Sequence, residues 1–414
     1  MSLDELRLLR NTSIRDGNIF LYGADFNVGK KSSPDGVTLP KNIDRISDEV
    51  PDINYLTTNG GSAVILAHYG RFSDGSAEPL DFVADTLSGM LETKVEYFPE
   101  NNTQAAIEFV RALKHGSVAI MGNARVHEGE EKNDAILAQQ FAQLALANGC
   151  SDAVIGGWGK YHRKNASNFG VLEHVKGYVP QSVANEIEQL AYWAGSNDEV
   201  FSVGIPGGLK GEKITDGLAG FVRTYDMIFP GGIVLNTILL VQGKIIGESV
   251  ISDEGKTYEK VVSEILANPE YAVKIVVPDQ VIVAKKGGKT FVDSRTVSVD
   301  DGVPEGYMIV DSVVPQYAHL ILDQELRSRQ GRFVFAGTPG IYTAGFREAT
   351  DTLLGYANSH LKRTMVLGGD TAAELREGGY NGEYSTGGGS SLHLITNGTT
   401  PVLDKLRENT LRFR

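Results

Sequence analysis

The sequence predicts an α/β protein with two doubly wound, parallel-sheet lobes of the Rossmann-like kind, joined by a hinge helix. Three observations support this fold class. Short apolar runs recur along the chain, and such runs are typical of parallel strands covered on both faces. Longer stretches with a helical pattern lie between them, and this alternation indicates parallel sheets. The chain has 414 residues, which is long enough for two domains.

The elements can be placed along the chain from these patterns. We expect strands at Ile19–Gly23, Ala63–Ala67, Val118–Met121, Ala153–Ile155, Val200–Gly204, Met227–Phe229, Val273–Val277, Phe333–Phe335 and Thr364–Leu367. The helical pattern is clear in Asp134–Ala147 and in Gln181–Ala194. The second of these helices is followed by a polar turn cluster at 195–199, which predicts a domain boundary there.

This boundary divides the chain into four segments. We expect a first lobe at 1–185, an interdomain helix and hinge at 186–199, a second lobe at 200–395, and a C-terminal segment at 396–414 that returns to the first lobe. A helix that joins two α/β lobes is a natural hinge element.

The composition excludes several classes of function. Lys and Arg total 39 and Asp and Glu total 52, so the formal charge of −13 argues against a nucleic-acid partner. A single cysteine, Cys150, cannot form an intrachain disulfide and indicates a reducing, cytoplasmic setting. The most apolar stretch, around 233–241, is too short to span a bilayer, so we expect no membrane partner.

The familiar catalytic and nucleotide-binding motifs are missing from the sequence. It contains no G-x-x-x-x-G-K-[ST], no G-x-G-x-x-G after a strand, no H-E-x-x-H, no C-x-x-C and no G-x-S-x-G. Glycine is abundant, at 48 residues, which suggests many turns in which the backbone closely approaches a ligand. The chemistry is therefore expected at strand ends and glycine turns.

In the first half, polar and basic residues follow the predicted strands. These residues are Asp25, Asn27, His68, Arg71, Arg125, His162 and Arg163, with Arg45 between two strands. Because the carboxyl ends of parallel strands meet in one crevice, we expect these side chains to gather there. Several arginine forks in one crevice predict a site for a phosphate-bearing anion. The alternative is that each arginine is solvated or forms a local ion pair.

In the second half, glycine turns take the same positions. They lie at 206–210, 230–232, 336–340, 368–371 and 385–389. Backbone N–H groups in such turns, next to helix N-termini, are ready anion sites. Lys210 could add a positive charge over them, and Asp370 could hold Mg²⁺. The alternatives are ordinary tight turns for the glycine pairs and simple N-capping for Asp370.

These motifs stand in the order of a known family. They are DFNV at 25–28, NIDRI at 42–46, HYGR at 68–71, NARVHEGEEKND at 123–134, GWGKYHRKNAS at 157–167, GGLKGEKI at 207–214, DMIFPGG at 226–232, AGTPGIY at 336–342, GGDTAA at 368–373 and STGGGSSL at 385–392. With them, the chain resembles the phosphoglycerate kinase family from about Asp25 to about Leu403, as a divergent member.

The resemblance implies roles for individual residues. The residues expected to bind 3-phosphoglycerate are Asp25, Asn27, Arg45, His68, Arg71, Arg125 and Arg163. Those expected to bind ADP or ATP are Lys210, Lys213, Gly337, Gly340, Thr343, Gly369, Asp370 and Thr371, with Asp370 also at the Mg²⁺. Those expected to act on the transferring phosphoryl group are Arg45, Lys210, Gly368 and Gly369.

The chain departs from the family pattern at several positions, mostly in the second lobe. In the first lobe, Ile155 and Gly156 replace an Asn-Asp pair. In the second lobe, Ala336 and Thr338 replace the Asn and Pro of NGP, Leu367 replaces a glycine, and Thr343 and His393 each replace an acidic residue. Lys210 and Lys213 are also three residues apart, where the family has four. The substrate lobe is therefore better preserved than the nucleotide lobe.

The resemblance implies a phosphotransferase of glycolysis and gluconeogenesis. It would move a phosphoryl group between 1,3-bisphosphoglycerate or 3-phosphoglycerate and Mg-ADP or Mg-ATP, with small molecules as its only partners and as a monomer. One alternative is a related kinase with another nucleotide or phosphorylated carboxylate, which Thr343 and Ala336 motivate. The other is a non-catalytic phosphoglycerate-binding protein.

Overall fold

The computed structural model describes residues 3–360 (the last two as backbone only), 363–380 and 382–413. The ends of the predicted segments at residues 1, 2 and 414 lie outside the described residues. The chain divides into unit 1, residues 1–191 with 399–414, and unit 2, residues 192–398. The division falls within the segment 186–199.

Unit 1 is built on a six-stranded parallel sheet with the order β5-β6-β4-β1-β7-β8. Its strands are β1 (Ile19–Gly23), β4 (Ser62–Leu66), β5 (Val95–Phe98), β6 (Val118–Met121), β7 (Asp152–Ile155) and β8 (Lys176–Tyr178); β2 (Lys30–Ser32) and β3 (Thr38–Pro40) form a separate antiparallel pair. Every residue of β1, β4 and β6 is buried, as the continuous apolar runs predict.

The helices of unit 1 cover this sheet. They are α1 (Asp44–Ser47), α2 (Val50–Thr58), α3 (Asp81–Leu91), α4 (Gln104–Ala112), α5 (Ala135–Leu146), α6 (Gln181–Ala191) and, from the C-terminus, α15 (Pro401–Arg412). The Asp134 side chain caps α5 by accepting the Leu137 N–H at 2.8 Å. Asn409 of α15 donates to the carbonyls of Leu172 and Val175 at 2.7 and 2.8 Å, which ties the C-terminal helix to unit 1.

Unit 2 contains a five-stranded parallel sheet with the order β10-β9-β16-β17-β18. Its strands are β9 (Val200–Pro206), β10 (Met227–Ile228), β16 (Gln330–Ala336), β17 (Thr364–Leu367) and β18 (Glu383–Ser385). In the register of the sheet, Phe333 of β16 lies opposite Val203 and Thr364. An antiparallel sheet of β13 (Gln280–Gly287), β14 (Thr290–Ser298) and β15 (Met308–Ser312) covers a smaller core, and β11 (Ser252–Asp253) pairs with β12 (Lys256–Thr257).

The helices of unit 2 include three that begin directly after a glycine. The helices are α7 (Ala219–Thr224), α8 (Gly232–Val241), α9 (Glu259–Leu266), α10 (Pro269–Ala272), α11 (Gln316–Ser328), α12 (Glu348–His360), α13 (Gly369–Glu377) and α14 (Gly389–Asn397). Those that follow a glycine are α8, α13 and α14. A π-helical turn, Lys213–Leu218, precedes α7. In the part of the chain that the structure describes, no helix has the length and apolarity needed to cross a membrane.

The α/β architecture with parallel sheets matches the prediction, but one predicted strand is wrong. Val273–Val277 forms only a single bridge, between Ile275 and Ile228. Its neighbour β10 is two residues long, α10 ends at Ala272, and Pro278 has no N–H to donate, so the pairing stops after one residue.

Other boundaries differ from the prediction by one to three residues. Strand β4 begins at Ser62 and ends at Leu66, Phe229 lies outside β10, and α6 ends at Ala191 instead of at Ala194. Just beyond the end of α6, the Arg332 guanidinium donates to the carbonyls of Tyr192 and Gly195, and the Gly195 N–H donates to the Ile395 carbonyl, so these groups do not continue the helix.

Candidate active site

In unit 1, the loops that follow β1, β4, β6 and β7 bring polar side chains together around Asp25. Arg45 Nη1 lies 3.0 Å from Asp25 Oδ2 and 3.4 Å from the Asn27 carbonyl. His68 Nε2 lies 3.6 Å from Asp25 Oδ1. Asp25 and His68 are buried, whereas Arg45 is half-buried and Asn27 is exposed. The carboxylate therefore orients a cation at the mouth of the crevice.

The charge states of this pair follow from its surroundings. Burial by itself would raise the pKa of the Asp25 carboxyl, but the positive charges of Arg45 and Lys160 and the hydrogen bond from the Asn27 N–H lower it on balance. Burial lowers the pKa of His68 well below its usual value, so its imidazole is neutral near pH 7. Its Nδ1 atom has no hydrogen-bond partner within the described ranges.

Arg125 is the most buried arginine of this site, at 3% exposure. Its Nη1 donates to the Gly70 carbonyl at 3.1 Å and lies 3.0 Å from Glu131 Oε1. Its Nε, also buried, has no partner in the parts of the chain described here. Burial lowers the pKa of Arg125; the carboxylates of Glu131 and Glu130 oppose this shift, and the nearby positive charges of Arg163 and Arg71 add to it. An unpaired donor among repelling cations is a site that an anion would satisfy.

The other predicted residues of unit 1 lie around the same crevice. Asn27 Oδ1 accepts the Gly70 N–H at 3.2 Å, which connects the loops after β1 and β4. Arg71 follows Gly70 and is half-buried, and Arg163 is exposed with its Nε 3.0 Å from His162 Nε2. The seven side chains that the resemblance assigns to 3-phosphoglycerate thus lie around one crevice, beside the carboxyl ends of the strands.

Two buried charged residues of unit 1 were not predicted. Lys160, 3% exposed, donates from Nζ to the Ala24 carbonyl at 2.9 Å, and burial lowers its pKa although Asp25 and Glu130 oppose this shift. Glu49, 4% exposed, accepts the Tyr22 hydroxyl at 2.6 Å. The only available signal for Lys160 was its place in the GWGK turn.

A third buried charged residue that the sequence did not reveal, Glu130, shapes the loop that carries Arg163. Glu130 is fully buried and accepts hydrogen bonds from the Ser167 N–H at 3.0 Å and from the Ser167 hydroxyl at 2.6 Å. Asn165 Nδ2 also donates to it at 3.3 Å. The carboxylate therefore fixes residues 165–167, and with them the position of the preceding Arg163.

In unit 2, the turns after β9, β10 and β16 pack backbone against backbone. A Cβ on Gly207 would lie 2.2 Å from the Thr338 carbonyl oxygen, and one on Gly337 would lie 2.3 Å from the Gly207 oxygen. A Cβ on Gly231 would lie 2.2 Å from the Pro339 Cα. Only glycine allows these turns to approach one another so closely.

Two helix N-termini lie beside these turns. Helices α13 and α14 have glycine N-caps, Gly368 and Gly388, so no side chain caps either helix. The two turns are adjacent, since a Cβ on Gly388 would lie 3.9 Å from the Gly368 Cα and the Gly368 N–H donates to the Ser385 carbonyl at 2.9 Å. Uncapped N–H groups at two neighbouring helix ends favour an anionic ligand.

The predicted residues of unit 2 have contrasting environments. Lys210, Thr343 and Asp370 are exposed, and Thr371, the second residue after Gly369, is half-buried. Lys213 is buried at the start of the π-helical turn, with Nζ 3.5 Å from Glu212 Oε1, and burial lowers its pKa. Lys210 therefore has the freer amine.

Position 340 must be a glycine for a structural reason, which is the close approach of a neighbouring side chain. A Cβ there would lie 2.4 Å from Cγ of Asp311, a buried residue. Burial raises the pKa of Asp311 to about 6, although the backbone N–H groups of Ser312 and of the start of α12 partly offset that effect. Gly337 and Gly340 thus both accommodate neighbouring groups on their Cβ side. Within the described residues, no three His, Cys, Asp or Glu side chains converge on a point where they could hold a metal ion.

The arrangement matches a known family. A model of the phosphoglycerate kinase family matches residues 9–398. The chain belongs to the phosphoglycerate kinase family. Phosphoglycerate kinase from Thermosipho africanus is 30% identical over 401 residues, which cover 94% of this chain and 95% of the relative. Phosphoglycerate kinase from Caulobacter vibrioides is 31% identical over 407 residues, which cover 93% of this chain and 95% of the relative.

Two solved structures share the fold. The phosphoglycerate kinase from Coxiella burnetii superposes with a TM-score of 0.70 at 23% identity, over 97% of this chain and 99% of that one. The phosphoglycerate kinase from Pyrococcus horikoshii OT3 gives a TM-score of 0.74 at 22% identity, over 98% of this chain and all of that one. At these identities the likeness concerns the fold alone.

Family membership confirms the resemblance, the α/β fold class and the function predicted from the sequence. The chain is a kinase, a phosphotransferase of glycolysis that acts between phosphoglycerate and a nucleotide. The alternatives of another specificity or of a non-catalytic binding protein are not favoured.

Proposed function

We propose that unit 1 binds 3-phosphoglycerate through the cations around Asp25. The contacting residues are Asp25, Asn27, Arg45, His68, Arg71, Arg125 and Arg163. The observation that carries this assignment is the buried, unpaired Nε of Arg125 in the presence of two further arginines. An anion there satisfies the donor and relieves the repulsion among the cations.

Unit 2 binds ADP or ATP in this proposal, with its phosphates at the glycine turns. The residues assigned to the nucleotide are Lys210, Lys213, Gly337, Gly340, Thr343, Gly369, Asp370 and Thr371. The support is the pair of uncapped helix N-termini behind Gly368 and Gly388, where N–H groups and helix dipoles favour negative charge.

Asp370 suits a magnesium ion that arrives with the nucleotide. It is an exposed carboxylate in the first turn of α13, next to the proposed phosphate position. Mg²⁺ in phosphoryl-transfer sites is held by one or two carboxylates together with the phosphate oxygens, so a single aspartate is a fitting donor. Magnesium bound there would neutralise charge on the phosphates.

The chain's own residues supply positioning and charge. In the direction of ATP use, a carboxylate oxygen of 3-phosphoglycerate bonds to the γ-phosphorus as the bond to the β–γ bridging oxygen breaks. The groups proposed to stabilise the developing charge are Arg45 of unit 1 and, in unit 2, Lys210 with the N–H groups at Gly368 and Gly369; such stabilisation is the main requirement of the transfer. Since acceptor and donor belong to different units, closure about the hinge proposed at 186–199 is part of this mechanism.

Binding to unit 1 can be tested without nucleotide. Titration of 3-phosphoglycerate into the nucleotide-free protein by calorimetry should show binding that weakens with salt. Arg71→Ala and Arg163→Ala should each lose about 1.5–3 kcal/mol of binding free energy. Arg15→Ala, an exposed arginine of the same unit, is the control and should bind as the wild type does. No binding by the wild type, or full binding by both site variants, would refute the assignment.

The role of Lys210 is tested by turnover. Lys210→Ala should lower kcat by about 10²–10³ because a charge that faces the transferring group is lost. Its affinity for 3-phosphoglycerate should stay close to that of the wild type. Lys286→Ala, an exposed lysine of β13, is the matched control. Near-normal turnover of the Lys210 variant would remove this residue from the mechanism.

Thr343 tests where the ribose lies. A carboxylate accepts hydrogen bonds from both ribose hydroxyls, whereas Thr343 offers one short hydroxyl, so Thr343→Glu should lower KM for ATP. A variant with unchanged KM would show that this exposed position does not face the ribose.

The setting of the enzyme is also part of the proposal. Cys150 is a free, half-buried cysteine, which supports a reducing, cytoplasmic environment. We expect a monomer with small-molecule substrates only, and sedimentation equilibrium with and without substrates tests that state.

A further inference from the structure

Glu49 lies at the junction of α1 and α2 with its carboxylate turned away from solvent. It is the residue before α2, yet its side chain does not cap that helix. Instead, Oε2 accepts the Tyr22 hydroxyl of β1 at 2.6 Å, and Oε1 accepts the Gly157 N–H of the loop after β7 at 2.8 Å. One carboxylate therefore joins three elements of unit 1.

The loop after β7 is shaped to admit carboxylates. A Cβ on Gly156 would lie 2.6 Å from Glu49 Oε2, so the absence of a side chain there makes room for Glu49. A Cβ on Gly159 would lie 2.7 Å from Asp25 Oδ2. Gly157 has φ +66°, which favours glycine, and its N–H points at Glu49. Glu49 thus anchors the same loop that packs against Asp25.

The three elements that Glu49 joins carry residues of the proposed substrate pocket. Arg45 lies on α1, one helical turn before Glu49. Asp25 follows β1, and Lys160 follows the glycine loop and donates to the Ala24 carbonyl at 2.9 Å. A substitution at Glu49 would therefore be expected to shift the pocket residues on these elements.

The charged and titratable groups that face Glu49 are few. They are Tyr22 from β1, Asp25 after β1, Asp52 from α2, and Lys160 and Tyr161 after β7. Asp52 is itself engaged, because it accepts the N–H groups of Gln181 and Ser182. Burial raises the pKa of Glu49 to about 7; the hydrogen bonds from Tyr22 and Gly157 partly offset this, and the charges of Asp52 and Asp25 add to it.

We propose that Glu49 is a positioning residue for substrate binding, which holds the 156–160 loop against β1 by its hydrogen bonds and weakens anion binding when it carries a charge. This inference rests on the proposed function of unit 1. Either protonation state can hold the loop, because one oxygen accepts the Gly157 N–H while the other either accepts from or donates to the Tyr22 hydroxyl. The negative charge, however, opposes an anionic ligand bound near Asp25.

A glutamine at position 49 separates these two effects. Its carbonyl can accept the Gly157 N–H and its amide can donate to Tyr22, so the hydrogen bonds survive without the charge. An alanine removes both. The test is calorimetric titration of 3-phosphoglycerate into the full-length wild type, Glu49→Gln and Glu49→Ala, each at pH 6 and pH 8, with thermal unfolding as the check of folding.

The expected pattern is specific. Glu49→Gln should bind with the wild-type affinity at pH 6 and about three- to tenfold more tightly than the wild type at pH 8, where only the wild type carries the charge. Comparison with the glutamine variant at each pH cancels the titration of the ligand's own phosphate. Glu49→Ala should bind at least tenfold more weakly at both pH values.

Tyr22→Phe keeps the inference testable if the alanine variant does not fold. It removes one donor to the ionised carboxylate, so the pH at which wild-type affinity begins to fall should move upward. An unmoved midpoint counts against the inference. Equal affinities of Glu49→Gln and the wild type at both pH values, or full affinity of a folded Glu49→Ala, would overturn it while the binding function stands. A wild type that binds no 3-phosphoglycerate overturns the proposed function and this inference with it.

Discussion

The two units build their anion sites from different materials. Unit 1 uses charged side chains, with Asp25, Arg125 and Lys160 all buried and each held by identifiable partners. Unit 2 uses backbone, with glycine turns in van der Waals contact and two helices that begin behind glycine N-caps. A side-chain site is adjusted by burial and neighbouring charge, whereas a backbone site depends on the absence of Cβ atoms.

The difference shows where each unit is sensitive. In unit 1, removal of a buried charged side chain changes the charge of the site and removes hydrogen bonds to the loops around it, as those of Glu49 to Tyr22 and Gly157 show. In unit 2, addition of a single methyl group to the wrong glycine displaces a neighbouring turn. Unfolding experiments with substitutions in each unit can measure how far stability depends on close backbone contact and on buried charge.

The sequence supplies a probe for each unit. The chain has two tryptophans, Trp158 in unit 1 and Trp193 in unit 2. Both are buried, so both should change fluorescence on unfolding. Trp193→Phe leaves a reporter of unit 1, and Trp158→Phe leaves a reporter of unit 2.

Gly232→Ala should produce the largest effect. Gly232 has φ +52°, and a Cβ there would lie 2.1 Å from the Gly208 carbonyl oxygen. Overpacking and the left-handed backbone together should destabilise unit 2 by about 4 kcal/mol, measured by urea unfolding through Trp193. Gly243→Ala is the control, since Gly243 has φ +78° but no atom within 4 Å of its Cβ position, and it should cost only about 1–2 kcal/mol. Equal losses would show that the turns of unit 2 do not depend on their close contact.

Arg332→Met should cause the second-largest loss of unfolding free energy. Arg332 is fully buried in unit 2, and its guanidinium donates to Ser202 Oγ at 2.8 Å and to the carbonyls of Tyr192 and Gly195. Without it the buried Ser202 hydroxyl and the two carbonyls of half-buried residues lose their donor, at a cost of about 3 kcal/mol in unfolding free energy. The neighbouring Arg329→Met removes a partly exposed pair with Glu325 and should cost at most about 1 kcal/mol.

This pair of variants refines the comparison between the units. Unit 2 also contains a buried cation, Arg332. This residue donates to main-chain carbonyls at the point where the chain enters the unit, and it does not line the proposed ligand site. If Arg332→Met were as mild as Arg329→Met, buried charge would not contribute to the structure of unit 2.

Glu49→Gln should alter the stability of unit 1 in a pH-dependent way. The pKa of Glu49 is about 7 in the folded protein against 4.5 when exposed. A raised pKa of an acid means that folding favours the protonated form, so the wild type loses stability as the pH rises from about 4.5 through about 7. The loss is about 3 kcal/mol, and glutamine does not share it.

The measurement is the difference in unfolding free energy between Glu49→Gln and the wild type, followed through Trp158 from pH 4.5 to pH 8. It should grow by about 3 kcal/mol in favour of the variant. Glu188→Gln, an exposed acid on α6 of the same unit, should give a nearly constant difference. A flat difference for Glu49→Gln would mean that its carboxyl titrates as an exposed one does.

Much of the site in unit 1 could be predicted from sequence because topology alone brings it together. His68, Arg71 and Arg125 each follow a parallel strand, and the carboxyl ends of such strands share one edge. Glu49 and Lys160 could not be predicted in this way. Their significance comes from burial, which depends on tertiary packing and has no local sequence pattern.

The nucleotide side shows a second limit. The glycine turns are visible in the sequence, but the spacing of Lys210 and Lys213 does not reveal that the π-helical turn buries Lys213 and leaves Lys210 exposed. The failed strand at Val273–Val277 has a similar origin. Its apolar residues fit a strand, yet its neighbour β10 offers only two residues to pair with.

The smallest predicted effects test whether the two units unfold as separate bodies. Gly89 lies inside α3 of unit 1 and Gly355 inside α12 of unit 2, both exposed and with no atom within 4 Å of the Cβ position. Alanine in an open helix interior lowers the entropy of the unfolded chain and favours the helix, so each substitution should stabilise its unit by about 0.5–1 kcal/mol. Gly89→Ala should shift only the transition seen by Trp158, and Gly355→Ala only that seen by Trp193. If either substitution shifted both transitions equally, the two units would unfold as one cooperative body. The contrast between a side-chain site and a backbone site would then have to be measured by ligand binding, because the stability of each unit could not be measured separately.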